Sequence, residues 1–375
     1  MLTRTLVCLL LLTPSLAAAD YDEAFHPDGS LQYKIKLARD GLRTGKYVIY
    51  YPGGAEGKKG EKAEIGSYRA GQLHGVITKL SEDGEVLSES QWTDGVCLIP
   101  LTERFISQRL KDIEAAAAAS VAALPNDGRA RPDDRTLVAV LTRTNHYRLL
   151  CGLDHDVAYD SEFVNEAQCA AEICDGIGQM DHHPKNNPGL SDERWEAGKI
   201  GCARGNLAMG ILGVGAVDAW IDDSDASNRD RLPHRHAALA PGLKRMGYGE
   251  SGRFSVQRIR DKGTTERDVP AVRFPPQGLM PLQMFGSHYC WHIRPDGDRY
   301  NVGKDAQLEI RPCDPNSGAR GEPLEIDYRI VNRGAVVALP KQIPLKRNAM
   351  FHVTVTGVSK KDESAPDLDW ITIFY

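Results

Sequence analysis

The hydrophobic period changes twice along the chain, and that switch constrains the fold more than any single motif. Up to residue 96 the apolar residues alternate in short runs broken by glycine turns, as in half-buried strands. From Leu101 to residue 250 they recur at helical spacing, and beyond Phe274 short β-rich runs return between Pro/Gly turns. One two-layer domain does not accommodate both changes. The expected class is therefore α+β multidomain, and 375 residues leave room for two or three domains. With 41% hydrophobic residues, each can build a core.

The first segment, 31–96, repeats itself. Gly45-Lys-Tyr-Val-Ile-Tyr-Tyr-Pro-Gly-Gly54 aligns at both glycines with Gly75-Val-Ile-Thr-Lys-Leu-Ser-Glu-Asp-Gly84, and Ser67-Tyr-Arg-Ala-Gly71 answers Gln91-Trp-Thr-Asp-Gly95. Each unit reads as strand, glycine turn, strand. This N-terminal antiparallel β-repeat module resembles MORN-type hairpin repeats, and equally suits a small sheet with structural glycines. Residues 101–134 follow as an Ala-rich helix, Glu114 to Leu124, and a linker opened by Pro125-Asn-Asp-Gly128. The middle segment, 135–250, carries helices over Thr136–Leu150, Ser161–Ile177 and Gly215–Ile221, the last entered through glycines 210–215 read as close backbone packing. Segment 274–375 has strands at Ala306–Ile310, Leu324–Val331, Met350–Val358 and Trp370–Tyr375, spaced as in a C-terminal antiparallel β-sandwich.

Residues 1–19 read as an export signal. Arg4 precedes the apolar run Leu6 to Leu12, and Ser15-Leu-Ala-Ala-Ala-Asp20 offers cleavage after Ala18 or Ala19. That run is too short to cross a bilayer, which takes ~20 residues, and no later one approaches it. A soluble protein, secreted or periplasmic, is expected. Loss of the signal removes Cys8 and leaves Cys97, Cys151, Cys169, Cys174, Cys202, Cys290 and Cys313. In an oxidising compartment these suggest disulfides rather than a zinc domain, since close C-x₂-C knuckles are missing. An odd number leaves at least one unpaired within the chain. Cys290–Cys313, flanking two strands, is the pair expected first; spacing does not fix the connectivity of Cys151, Cys169, Cys174 and Cys202. A net charge of −5 argues against nucleic acid as the main partner.

The sequence has no G-x-S-x-G elbow, H-E-x-x-H pair, phosphate-binding loop or dinucleotide fingerprint. It does hold metal-capable side chains. Asp181-His182-His183 follows a helix, Pro233-His234-Arg235-His236 reads as a loop, and Asp222-Asp223 lies near the end of the helix holding Trp220. Two imidazoles from separate segments plus a carboxylate can hold a divalent ion and leave a position for water. Histidines so spaced are more often ordinary core or surface residues, which is also the default for His288 and His292.

The helix Leu141 to Leu153, with Asn145, Arg148 and Gly152-Leu153, opens an ordered series of motifs. Val157 to Asp160, Ala167 to Ala171, the histidine at 182 or 183, Gly205-Asn-Leu-Ala-Met-Gly210 and Ala216-Val-Asp-Ala-Trp220 come next. His234-Arg-His-Ala-Ala-Leu-Ala-Pro-Gly-Leu-Lys-Arg-Met-Gly-Tyr-Gly249 closes it. Together they resemble the bacterial-type branch of the CAP superfamily of cysteine-rich secretory, antigen 5 and pathogenesis-related proteins, the SCP-like domain. Pro275-Pro-Gln-Gly278 is similar to the turn that follows the domain there. The resemblance implies a central α-β-α sandwich with a cleft lined by two histidines and two acids, which binds zinc in several members. Carried over, the cleft or ligand-binding residues are His182, His183, Asn206, Asp223 and His234, with His182 and His234 as the zinc ligands. The first acid is missing, because the glutamate of the family's G-E-N segment falls on Gly205. Arg204 beside it disfavours a cation. No catalytic residue is assigned, and Asn145, Asn206 and Trp220 also read as structural.

Three readings follow. The first is a secreted CAP-domain protein that does not catalyse but binds a lipid, peptide or envelope component through the CAP cleft or the flanking β-modules. The second is a zinc-dependent hydrolase using His182, His234 and Asp223, against which the missing acid counts. The third is an extracellular scaffold or adhesion protein.

Overall fold

The computed structural model describes residues 20–53, 58–260, 269–314, 319–331, 335–340, 343 and 345–375; the expected signal, 1–19, and Gly54 of the repeat lie outside them. Two compact units divide between Leu98 and Ile99.

The first unit is built from β1 (Tyr21–Phe25), β2 (Leu31–Lys36), β3 (Gly45–Tyr50), β4 (Lys62–Arg69), β5 (Gln72–Leu73), β6 (Gly75–Leu80), β7 (Val86–Thr93) and β8 (Val96–Ile99). They form one sheet in the order β1-β2-β3-β4-β6-β7-β8, with β5 hairpinned onto β4. The internal repeat is a property of the backbone as well as the letters. Its two units end in two-residue hairpin turns with positive φ at both central residues, Ala70 and Gly71 at 47° and 79°, Asp94 and Gly95 at 48° and 81°. That pair of angles matches the right-handed twist of the flanking strands, and it explains why a glycine recurs at this register. Ile35, Tyr47 and Ile77 form the small core, with Tyr68 and Trp92 packed against it.

The second unit opens with α1 (Glu103–Ala122), α2 (Asp134–Leu150), β9 (Ala158–Tyr159), α3 (Ser161–Ile177), α4 (Asp192–Arg204) and β10 (Gly205–Met209). It continues through α5 (Gly213–Asp222), α6 (Pro233–Ala238), β11 (Arg245–Ser251) and β12 (Phe254–Arg258). The sheet order is β10-β12-β11-β9, antiparallel except for the β9–β11 pair. Alternation along the strands makes it the middle of a sandwich. Phe254 and Val256 face the cluster of α3 and α4 with Ala170, Ile173 and Cys202, while Met246 and Tyr248 face the one holding Trp220 and Leu141. The glycines of Gly247-Tyr248-Gly249 face α3, where a Cβ would stand 2.0 Å from the Phe163 carbonyl oxygen or 2.3 Å from the Gln168 nitrogen. Only glycine lets strand and helix backbones lie this close.

Three helices, α2, α3 and α5, match expectation, the first two because their end signals are strong. Asp133 and Asp160 cap α2 and α3 by accepting backbone N–H groups, and Gly178 ends α3 at φ 73°. The Ala-rich helix is longer than read and begins at its Thr102 cap. Two helices were not anticipated. In α4, Gly198 and Gly201 replace the apolar stripe on the α3 face, and the segment 233–236, read as a loop, forms the first turn of α6 with Pro233 at its start. The glycines before α5 are not there for close packing. Gly210 and Gly213 have φ of 82° and 57°, with open space where a Cβ would be, so they serve backbone conformation.

The remaining strands are β13 (Ala271–Phe274), β14 (Gly278–Met280), β15 (Trp291–Pro295), β16 (Tyr300–Cys313), β17 (Ile326–Val331), β18 (Ala335–Pro340), β19 (Met350–Lys360) and β20 (Asp369–Phe374). They form two four-stranded sheets, β13-β15-β18-β17 and β14-β20-β19-β16, antiparallel apart from β14–β20. One hydrophobic cluster runs from Ile106 of α1 through Trp220 to Trp291, Phe351 and Phe374, so the segments read separately share a core. Fully buried Arg235 fastens them. It donates to the carbonyls of Ile221 (2.5 Å), Asp222 (2.5 Å) and Cys290 (2.8 Å), and lies over the Phe274 ring at 4.5 Å. Arg148, also fully buried, similarly ties α2 to the carbonyls of Ala238 and Ala240. The expected Cys290–Cys313 bond is not formed: all seven described cysteines are free thiols.

Candidate functional site

Helix α5 ends on Asp223, whose backbone is left-handed at φ 45°. This turns its carboxylate, with no side-chain exposure, onto the start of α6. Oδ2 accepts the backbone N–H groups of His234 (2.9 Å) and Arg235 (3.2 Å), and Oδ1 accepts the His234 ring at Nδ1 (2.8 Å). A carboxylate only accepts here, so the His234 ring donates from Nδ1 and turns Nε2 away from Asp223. His182 has the same arrangement with a different partner. Its Nδ1 donates to the Cys202 carbonyl at 2.7 Å, and Nε2 is the ring nitrogen that this bond does not use. His182 and His183 are exposed, and His183 sets its backbone N–H on the Asp181 carboxylate at 2.7 Å.

Asn206 is fully buried and ties the sheet to α6, its amide donating to the His234 carbonyl (3.3 Å) and to Gln257 Oε1 (3.2 Å). Gln257 passes the network on to the Thr144 hydroxyl of α2 at 3.2 Å. Asn145 clasps Val157 through both its amide and its carbonyl, and the Trp220 indole donates to the Leu207 carbonyl at 3.1 Å. These bonds hold chain segments together, while Asn206 Oδ1 is buried without a partner.

The position of the missing acid is closed. Gly205 has ordinary extended angles, φ −101° and ψ 159°. A Cβ there would lie 2.6 Å from the Gly201 carbonyl oxygen and 2.8 Å from Val256 Cγ1. Arg260 then brings a cation that the motifs do not reveal. It donates to the Pro233 carbonyl at 3.4 Å, and its guanidinium pKa is lowered by burial against the opposing pull of Asp223. A guanidinium beside Asp223 competes with any divalent ion for that carboxylate. Among the described residues no three His, Cys, Asp or Glu side chains group as a metal centre.

A second histidine pair emerges beyond the motif. His236 and His292 meet Nε2 to Nε2 at 3.0 Å; His292 is buried, and its pKa is driven well below the ordinary value by burial and then by His236, Arg235 and Arg294. His288, by contrast, is exposed and faces Asp222 at 3.1 Å. Nothing in the spacing distinguishes a core histidine from a surface one four residues away.

An open groove of about 670 Å³ lies against α2, with Leu110 of α1, Val138 and Ala139 of α2 and Val214 of α5 on its apolar side and Glu114, Asp134, Arg135 and Arg143 among its other lining residues. Thr142 and His146 also line it, and Thr142 Oγ1 and His146 Nε2 are buried without a partner. Burial, followed by the charge of Arg143, lowers the His146 pKa to about 4, so the ring is neutral at pH 7.

Residues 141–253 match the family model CAP, the Cysteine-rich secretory protein family. This segment is a CAP domain. Among solved structures the chain is similar to an extracellular protein containing a SCP domain from Bacillus anthracis str. Ames, at 15% identity and a TM-score of 0.25. That alignment covers 66% of this chain and 87% of the other, and a superposition so loose carries no argument about function. No curated protein matches the chain. The matched residues include His182, Asn206, Asp223 and His234. Helix α1 and the β-strands from Ala271 onward lie outside the matched residues. Among the described residues no helix is long and apolar enough to cross a membrane.

Proposed function

We propose that the protein is exported and that its CAP domain is a non-catalytic binding module for a lipid with a polar head. The observation that carries the non-catalytic half is Gly205, whose surroundings leave no space for the acid of the family pattern. Asp223, the remaining acid, is already engaged as the cap of α6. The groove against α2 supports the binding half. Its volume suits a small ligand, Leu110, Val138, Ala139 and Val214 give it an apolar side, and the Thr142 hydroxyl and His146 Nε2 are two buried polar atoms a head group would satisfy. Arg135 and Arg143 line it together with Glu114 and Asp134, so its charged groups balance and set no sign for the head. The signal at 1–19 supplies the route out of the cell.

The test is saturable uptake of a long-chain fluorescent fatty acid by the delipidated full chain. Ala139→Trp, which fills the groove, should weaken binding at least about tenfold, a loss of ~1.4 kcal/mol. His234→Ala should leave it unchanged. Absence of binding, or equal binding by Ala139→Trp, refutes the lipid reading and leaves a scaffold role.

One observation favours a zinc-dependent reading. Both His182 and His234 donate Nδ1 to an oxygen acceptor and leave Nε2 out of that bond, as metal-binding imidazoles do. If it holds, zinc titration by calorimetry gives one ion per chain, lost in the His182→Ala/His234→Ala protein. No heat in the wild type removes this reading.

A further inference from the structure

Cys174, in the last turn of α3, and Cys202, in the last turn of α4, are buried in one apolar cluster with Ala170, Ala171 and Ile173. The helices meet closely because α4 brings glycines to the contact. A Cβ at Gly198 would stand 2.9 Å from the Cys169 carbonyl oxygen, and one at Gly201 only 2.1 Å from that of Glu166. Cys202 Sγ therefore reaches α3 itself, 3.9 Å from the carbonyl of Ala170, one turn before Cys174. The two thiols, free in the structure, are near enough to perturb each other. That proximity, with help from the Asp181 backbone N–H, lowers the Cys174 pKa, while the same proximity and burial raise that of Cys202.

We propose that Cys174 and Cys202 are the α3–α4 disulfide of this protein, closed during folding by a disulfide oxidant. The Cys174 thiolate attacks one sulfur of the oxidant and expels the other as a thiolate. Cys202 then loses its proton and attacks Cys174 in the mixed disulfide, expelling the second thiolate. Two electrons and two protons leave the pair, and the oxidant departs as two thiols. Both sulfurs are buried in the folded chain, so the bond forms before α3 and α4 close on each other. Its functional consequence lies between the two helices. The segment joining them carries His182 and His183, and the Cys202 carbonyl holds the His182 ring. The disulfide closes a covalent loop around that segment and fixes the residue that anchors His182. The odd number of cysteines is then accommodated with at least one thiol left free.

The source of the oxidant rests on the export reading; the pairing itself does not. The experiment therefore has two arms. In the first, the full chain is unfolded, reduced and refolded with oxidised glutathione. Alkylation and peptide mapping should then give a linked Cys174–Cys202 peptide and a mass 2 Da lower than that of the reduced chain. Recovery of both cysteines alkylated, or of either linked to Cys151 or Cys169, overturns the pairing. In the second arm the protein is purified from the exported fraction without reductant. The bond present there agrees with both readings. Its absence from that fraction, with formation under glutathione, counts against export and not against the pair. Cleavage of the 179–191 segment by a protease should be at least severalfold slower in the oxidised chain, and equal rates would refute the loop-fixing role. Should Cys174→Ser fail to fold, the mapping of the wild-type chain stands unaffected.

Discussion

Restoring the missing acid should damage the fold before it restores any chemistry. In Gly205→Ala the new methyl meets the Gly201 carbonyl oxygen at 2.6 Å, Val256 Cγ1 at 2.8 Å and the Gln257 carbonyl oxygen at 3.3 Å. Two of these three are backbone atoms, in the last turn of α4 and in β12, so neither swings aside as a side-chain end would. Because φ at Gly205 suits any residue, conformational strain adds nothing and the cost is steric. Overpacking of this kind costs about 1–3 kcal/mol, and opposition from fixed atoms on both sides places Gly205→Ala near the top of that range. At roughly 2–4 °C per kcal/mol, the melting temperature should fall by about 5–10 °C. Gly205→Glu should fall further, since a carboxylate must also be accommodated beside Val256. Scanning calorimetry of the three proteins measures this directly. A Gly205→Ala protein that melts with the wild type refutes the steric argument. A Gly205→Glu protein that folds normally and acquires a zinc site refutes the claim that this position is closed.

Arg235→Met leaves three buried carbonyls without their donor and should cost about 3–5 kcal/mol, read as a lower guanidinium midpoint; Arg235→Lys should recover little, because an ammonium lacks the planar fork. Acid should also destabilise the protein in a stated window. His146 and His292 are neutral in the fold with lowered pKa, so the unfolded chain binds more protons once the pH drops below about 6.5. Stability is full above that pH and falls below it, for His146 until about pH 4, a total near ~3 kcal/mol. Glu166 and Asp218, whose pKa burial raises, run the opposite way in the carboxylate range. Denaturation curves of His146→Gln and His292→Gln between pH 6.5 and 4 should be flatter than wild type. Parallel curves would show that these rings are not protonated on unfolding.

What could be read from the sequence depended on whether the determining contact was local. The helix Ser161–Ile177 was legible to the residue because its cap and stop, Asp160 and Gly178, are neighbours in sequence. The hairpin repeat was legible because Asp94-Gly95 and Ala70-Gly71 carry their turn geometry in two residues. Helix α4 was not, since its buried face is defined by Gly198 and Gly201 meeting a backbone that periodicity cannot see. Disulfide pairing fails for the same reason. Cys290 lies against Leu232 and Val337, in a cluster apart from Cys313 of β16, while Cys174 and Cys202 meet only because two glycines bring their helices together. The candidate site was read as a set of residue types, but the closure at Gly205 and the cation of Arg260 are three-dimensional facts with no local signal.

The motif residues present in this CAP domain have an explanation that does not involve catalysis. Asn145, Arg148, Asn206 and Trp220 each direct polar atoms at backbone groups of another segment. Asp223 looks catalytic in a motif, yet its carboxylate satisfies two orphan N–H groups of α6 and orients the ring between them and the sheet. Replacing it would unfasten α6 whether or not a substrate exists. Where the family pattern has an acid the chain carries Gly205, and the Gly201 carbonyl and Val256 fill the space a side chain would need. A fold held by its motif residues can therefore persist after the chemistry has lost its acid. Activity in such a domain has to be argued from the ring nitrogen of His182 and His234 that these bonds do not use, Nε2, rather than from the presence of the motif.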